Sequence, residues 1–400
     1  MKIKKKTIQF FGLFLITLSF FKPGILENYP FYNTLYNYWT LLSSISIIIY
    51  YILKKKISNL QFLILLQIAL YGISTLLNSR DFYTLIANFV PLLAICMLSE
   101  IQVKKNCKRY LRCLSIIIFL EIFINFIFIC LYPTGVYGEG IYGSYKYFLG
   151  YDNYSALFIN LGMIIIILFN YISKGKLTLL GIATMIIVLI SYIITWAVTP
   201  MISALIASIL VILVLNFHIN KIRWINKLIN FKTVFFASIV FFIAIVIFRI
   251  QDNFSYLIVD ILHKDLTFTG RTLIWDRSLE QFLSSPWIGI GITDYNVRLA
   301  TLNIYHAHCT LLNILMEGGI FVLIIYTSML YYANKKMSKI KNTTLYWILL
   351  IGFISYFIIT SFDVLKISHT FYILLALTIN SPQIQEMISN EKNSRIDNNN

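Results

Sequence analysis

Residues 251–309 gather three arginines and three histidines, Arg271, Arg277, Arg298, His263, His306 and His308, and Glu317 follows shortly after. Arginine presents a planar fork of donors that grips phosphate or carboxylate oxygens, and histidine exchanges a proton near neutral pH. Such a set suits an anionic substrate with a proton to move. The rest of the chain offers little comparable chemistry. Of 400 residues only 12% are charged and 58% are hydrophobic, with a mean hydropathy of +0.77, so there is too little polar surface to cover a soluble globule. A membrane protein that concentrates its polar residues in one loop is expected to work at that loop.

Twelve apolar stretches would position it, near 7–21, 36–53, 59–77, 82–99, 113–132, 154–171, 177–195, 199–217, 233–250, 310–332, 343–361 and 365–380. Each approaches the roughly 20 residues that cross a bilayer core. They predict an all-α polytopic membrane protein: one transmembrane domain over 1–380, a long extracytoplasmic loop at 251–309 with short helices in it, and a polar, disordered cytoplasmic tail at 381–400. The stretch from Lys2 to Phe21 reads as the first span, because no small-residue cleavage site follows it.

The basic residues set the orientation. With a cytoplasmic N-terminus, 24 of the 33 fall in inner segments, among them Lys54–Lys56, the cluster Lys104 to Arg112, and Lys335 to Lys341. Both termini are therefore expected in the cytoplasm and the protein in the plasma (inner) membrane. The net charge of +16 sits in short turns that face anionic lipid, so it implies no nucleic-acid partner. Five scattered cysteines predict no essential disulfide.

Within the loop, Thr269 can cap a helix that starts at Gly270, runs RTLIWDRSLEQFLSS and stops at Pro286. Arg271, Trp275 and Ser278 share one face of it. WIGIG at 287–291 makes a glycine turn, and a second helix begins near His308 and runs straight on through Glu317, Gly318 and Gly319. Since Glu317 stands about two and a half turns beyond His308, it cannot touch that imidazole along one straight helix, so it is expected to anchor a neighbouring segment or to be itself a buried proton acceptor. Glu121, in the middle of the fifth span, is a buried carboxylate and hence a site candidate or a helix-to-helix hydrogen bonder. The outer segment 133–153 is rich in Gly and Tyr, whose rings could stack on sugars or form an interfacial belt. Asp152 after it could contact sugar hydroxyls or cap the sixth span.

The run TGRTLIWDRSLEQFLSSPWIGIG, followed by HAHCTLLNILMEGG, resembles the signature of the O-antigen ligase and polymerase family of bacterial envelope proteins, the Wzy-type polymerases and their ligase relatives. The resemblance is close over residues 269–325. The chain departs from the pattern at Cys309, where the family has Asn, at Val322, where it has a small residue, and at Trp196 to Ser203, where many members carry a Ser-Arg pair.

The resemblance implies glycosyl transfer from an undecaprenyl-pyrophosphate-linked glycan donor to a glycan acceptor at the outer leaflet, with loss of the lipid pyrophosphate. The leaving group gains negative charge, so fixed cations must face it. Arg271 is the first candidate, with Arg298, Arg249 and Arg277 behind it, and His308 is the candidate base. Glu317, Glu121, Trp275 and Asp152 complete the expected substrate-binding set. No Asp-x-Asp pair is present among Asp260, Asp265, Asp276 and Asp294, so a metal-independent enzyme without cofactors is expected. Further partners would be membrane lipid, a flippase and a chain-length regulator. The rival class, a transporter or flippase, should keep its polar residues at the midplane on broken helices, where Glu121 is nearly the only one in this sequence.

Overall fold

The computed structural model describes residues 5–54, 56–137, 145–250, 253, 256–261, 270–363 and 368–397. In chain order they form α1 (Lys5–Leu18), α2 (Pro30–Lys54), α3 (Asn59–Leu77), α4 (Phe82–Leu131), a small hairpin β1 (Lys146–Tyr147) and β2 (Gly150–Tyr151), α5 (Asp152–Lys174), α6 (Leu179–Thr195), α7 (Val198–Asn216), α8 (Arg223–Leu228) and α9 (Phe231–Phe242). Then follow α10 (Arg271–Ser284), α11 (Tyr295–Leu302), α12 (Thr310–Met337), α13 (Thr344–Phe362), α14 (His369–Ile379) and α15 (Ser381–Asp397). Each of the twelve apolar stretches meets a helix. Among the described residues, six helices are long and apolar enough to cross a membrane, and four further apolar helices are shorter.

The outward faces suit lipid rather than water. Leu35, Leu42, Ile45, Ile49 and Leu53 of α2 and Ile182, Ile186 and Ile193 of α6 all point outward, a density of exposed apolar side chains that a soluble monomer avoids. The centre is formed by α5, α13 and α14, which are apolar all round and buried along most of their length. Polar side chains tie these helices together inside. Tyr192 donates to Asn160 at 2.8 Å, the hydroxyls of Ser203 and Ser355 pair at 2.7 Å, and those of Tyr326 and Tyr356 at 2.9 Å.

Helix α4, at 50 residues, is two helices joined end to end. Asn106 adopts extended backbone, φ −164° and ψ 82°, and its Oδ1 accepts from the backbone N–H of Arg109 at 2.9 Å, capping the second half. That break separates the stretches 82–99 and 113–132.

The connections gather at two poles. At one, Arg109 donates to Gln9, Lys108 pairs with Glu391, and Asn220 donates to the Asn342 carbonyl. Buried Glu100 accepts there from Ser58, Gln61 and Tyr51. At the other pole, the Ile25 N–H donates to the Phe148 carbonyl, Lys146 pairs with Glu27, and the segment around Gly289 packs on the end of α3. Segments expected on one side of the membrane thus contact only one another in these pairings.

Two expectations are corrected. The polar tail is not disordered over its described length: α15 runs to Asp397, with Ile384 buried and Met387 and Ile388 packed on the core. These three positions make a short apolar stripe at helical spacing, enough to dock the helix. Helix α12 is not straight. It breaks at Gly319, where φ is 65° and ψ −167°.

Candidate active site at the polar pole

The break in α12 is filled by the glycine turn. Gly289, Gly291 and Gly319 all have positive φ, which glycine adopts without strain. A Cβ on Gly289 would lie 2.4 Å from the Glu317 carbonyl carbon, and one on Gly319 the same distance from the Trp287 backbone. Such close approach lets main chain pair with main chain. Ile290 and Gly291 donate to the carbonyls of Met316 and Glu317, while Ile320 and Phe321 donate to those of Pro286 and Trp287. Four groups left over by the broken helix are thereby satisfied away from water. From α3, Ser74 and Asn78 donate to the Gly289 carbonyl, and Thr75 accepts from Ile292.

Arg298 of α11 reaches this same break. Its Nη2 lies 2.5 Å from Glu317 Oε1, and both side chains are buried, at 1% and 3% exposure. The Thr293 carbonyl accepts a further bond from Nη2, whereas Nε and Nη1 have no hydrogen-bond partner. The pair clamps the loop to α12 out of reach of solvent. Beside it lies a cavity of about 60 Å³, lined by Gln67, Tyr71, Asn88, Asn313, Glu317 and Tyr372 among others, which suits a few waters rather than a sugar.

A second cluster forms where α10, the start of α12 and the end of α13 meet. Gly270, at φ 80°, ends the approach to α10 and lets Arg271 occupy its first turn. Arg271 Nη1 donates to the Phe362 carbonyl at 2.5 Å. Burial pulls its guanidinium below the ordinary value, and the Asp363 carboxylate pulls it back up. His308 has a left-handed backbone, φ 44°, strained for a non-glycine residue. Its N–H donates to His306 Nδ1 at 3.3 Å, and the two ring centroids lie 4.0 Å apart. Burial first, then His306 and Arg271, hold its pKa down to about 2, so the imidazole is neutral. Asp363 Oδ1 stands 3.7 Å from His308 Nδ1. Ligating atoms of His306, His308 and Asp363 lie within 4.8 Å of one another, a grouping that sequence spacing did not reveal.

The other expected site residues are placed as follows. Arg249 pairs with Asp276 and donates to the Thr272 carbonyl, bracing α10, and Arg277 donates to the Asn303 carbonyl at 3.0 Å. Trp275, 1% exposed, packs with Val246, Ala307, Cys309 and Leu312 beneath the His308 segment. It is therefore a core residue under the cluster, with no face open to a sugar. Glu121 is buried in the bundle. Asp152 accepts from the Asn153 N–H at 2.7 Å and so serves the first turn of α5. His263 and Thr269 lie outside the described residues. Asp363 was missed altogether: a single aspartate between two apolar stretches carries no spacing signal.

Fold and site together define an almost entirely helical integral membrane protein with arginine, histidine and aspartate side chains grouped at one pole. Residues 161–327 match the family model described as O-antigen ligase, which is consistent with an O-antigen ligase/polymerase family. The matched segment runs from α5 into α12 and contains Arg271, Arg298, His308 and Glu317, while Asp363 lies beyond it. No curated protein matches the chain.

Proposed function

We propose that this protein is a metal-independent polysaccharide polymerase of the bacterial envelope, twelve-spanning, with both termini in the cytoplasm and the Arg271–His308 pole outside. It transfers glycan from undecaprenyl pyrophosphate onto a lipid-linked repeat unit. The observation that carries this reading is the meeting of a neutral imidazole, His308, with the half-buried guanidinium of Arg271 at the pole opposite the lysine-rich turns. The acceptor oxygen attacks the anomeric carbon and gives its proton to His308, while the bond to the lipid pyrophosphate breaks and Arg271 meets the charge that develops there. The strained backbone of His308 supports the same assignment.

Transfer of finished glycan to a different acceptor uses the same chemistry. The lack of an arginine between Trp196 and Ser203 favours the polymerase. Purified protein given one lipid-linked repeat unit, with chelator present, is expected to yield a ladder of longer glycans. Transfer of preformed polymer to another acceptor, without elongation of the unit, would decide for the ligase. A flippase reading finds less support, because the broken helix α12 is filled by backbone and its neighbouring cavity is too small for an oligosaccharide.

A further inference from the structure

We propose that the outer corner formed by residues 22–37 and the hairpin at 146–151 is an acceptor subsite, which binds the pyrophosphate and first sugars of a second lipid-linked repeat unit. The inference rests on the polymerase reading and deepens it, since elongation needs two lipid-linked molecules side by side. Arg271 faces only one of the two pyrophosphates.

Charge is the first support. Lys22 follows α1, and its Nζ donates to the Oδ1 atoms of Asn33 and Asn37 at 2.8 and 3.0 Å. An ammonium has three donors, so one is left for a ligand. Burial draws the Lys22 pKa below the ordinary lysine value, and Glu27 opposes that shift without cancelling it. Glu27 in turn accepts from Lys146 Nζ at 3.2 Å, and Lys146 also donates to Asn28 at 3.1 Å. Two lysines therefore share one glutamate, while Asp152 beyond the hairpin accepts from the Asn153 N–H. The corner's lysine charge suits a phosphate.

Shape is the second. The Tyr137 hydroxyl donates to that of Tyr29 at 3.3 Å, and the Tyr151 ring centroid lies 5.6 Å from Lys146 Nζ. All three rings are exposed. Each offers an apolar face to sugar C–H groups and a polar edge to hydroxyls, with the Glu27, Asn28 and Lys146 side chains beside them. Their base is closely fitted: a Cβ on Gly24 would lie 2.6 Å from the Gly150 Cα, and Asn125 Oδ1 accepts from the Leu149 N–H at 2.9 Å. On the membrane side, Phe31, Leu35, Tyr38 and Leu42 form an outward apolar stripe down α2, a track for the polyprenyl chain. The corner also lies near the proposed chemistry. The His369 ring packs edge-on against Phe20 and Phe21, next to Lys22, with centroids 5.9 and 6.5 Å apart. Asp363 of the His308 cluster precedes His369 by six residues, so their backbones lie within about 22 Å. A short oligosaccharide spans that distance.

The test measures binding of radiolabelled lipid-linked repeat unit, extracted from cells in which the gene is disrupted, to purified full-length protein. Wild type is expected to bind two units and Arg271→Ala to keep one tightly. Lys22→Gln should weaken one of the two by roughly 10- to 100-fold, Lys22→Arg should restore it, and Lys22→Gln/Arg271→Ala should bind neither tightly. A single unit on wild type, or two tight units on Lys22→Gln, would overturn the proposal while leaving elongation by the wild type intact. Failure of the wild type to elongate the unit would instead remove the reading on which it rests. Displacement of the second unit by an equal amount of phosphatidylglycerol would make the corner an ordinary lipid contact, and also overturns it. Should Lys22→Gln fail to accumulate, Tyr29→Leu/Tyr151→Leu decides: a weakened second unit supports the proposal, and two tight units overturn it.

Discussion

Two arginines of the same loop meet carboxylates in opposite ways. Arg298 and Glu317 are sealed at 1% and 3% exposure, in direct contact at 2.5 Å, at the break of α12. Arg271 senses the Asp363 carboxylate, spends one donor on the Phe362 carbonyl and keeps part of its surface exposed beside a neutral histidine. A buried, mutually neutralised pair has little left to offer a pyrophosphate. Under the proposed function, the looser cluster is the one that meets the substrate's charge. Burial and pairing, rather than residue type, separate the clamp from the proposed reactive centre.

Replacing one half of the clamp should do the greatest damage. Arg298→Ala strands the Glu317 carboxylate in the interior and is expected to cost about 3–5 kcal/mol of stability, read as lost accumulation and a lower unfolding temperature in detergent. Arg298→Met combined with Glu317→Leu should recover much of that loss, as an apolar pair of similar size removes both buried charges. If both versions accumulate normally, the clamp is not structural. Arg271→Ala should leave accumulation intact and lower the rate on the order of 100- to 1000-fold. Arg271→Lys should keep a small fraction, because it restores charge without the fork.

Smaller effects sharpen the boundary of the cluster. His306→Ala removes the acceptor for the His308 N–H, worth about 0.5–1.5 kcal/mol, and should reduce turnover by roughly 10-fold or less. A loss as severe as that of His308→Ala would bring His306 into the reaction itself. Because His308 is held neutral down to about pH 2, kcat/KM should show no acid limb near 6.5. The linked stability has the opposite sense. The unfolded imidazole takes a proton below about 6.5 and the folded one does not, so this contribution is lost as pH falls below 6.5. Least of all, Arg249→Ala breaks a largely exposed pair with Asp276 and should cost about 0.2–1 kcal/mol, with near-normal activity.

The helices were legible because a bilayer leaves an apolar chain few alternatives to helix, so hydropathy alone placed α3 at 59–77. The loop helix was legible from Gly270 and Pro286, and the motif singles out Arg271 and His308, which the fold brings to one cluster. Other features were not. Gly318-Gly319 inside an apolar run looks like a tolerated flaw in a straight helix, and only the main chain of 286–291 laid against it reveals the break. Arg298 and Glu317 are separated by α11's end, the histidine segment and two helical turns, so their pairing follows from the fold alone. For Glu317 an anchor and a buried proton acceptor were both open, and neither reading names Arg298 as its partner. The docking of α15 rests on three apolar residues in a polar sequence, too few to register as a helix face.

The most direct test measures release of undecaprenyl pyrophosphate from one lipid-linked repeat unit by equal amounts of wild type, Arg271→Ala and the Arg298→Met/Glu317→Leu swap. The account predicts release and a glycan ladder from wild type and from the apolar swap, with neither from Arg271→Ala above roughly one-hundredth of the wild-type rate. Wild-type release by Arg271→Ala, with the swap stable but inactive, would contradict it by moving the reactive cation from the cluster to the clamp.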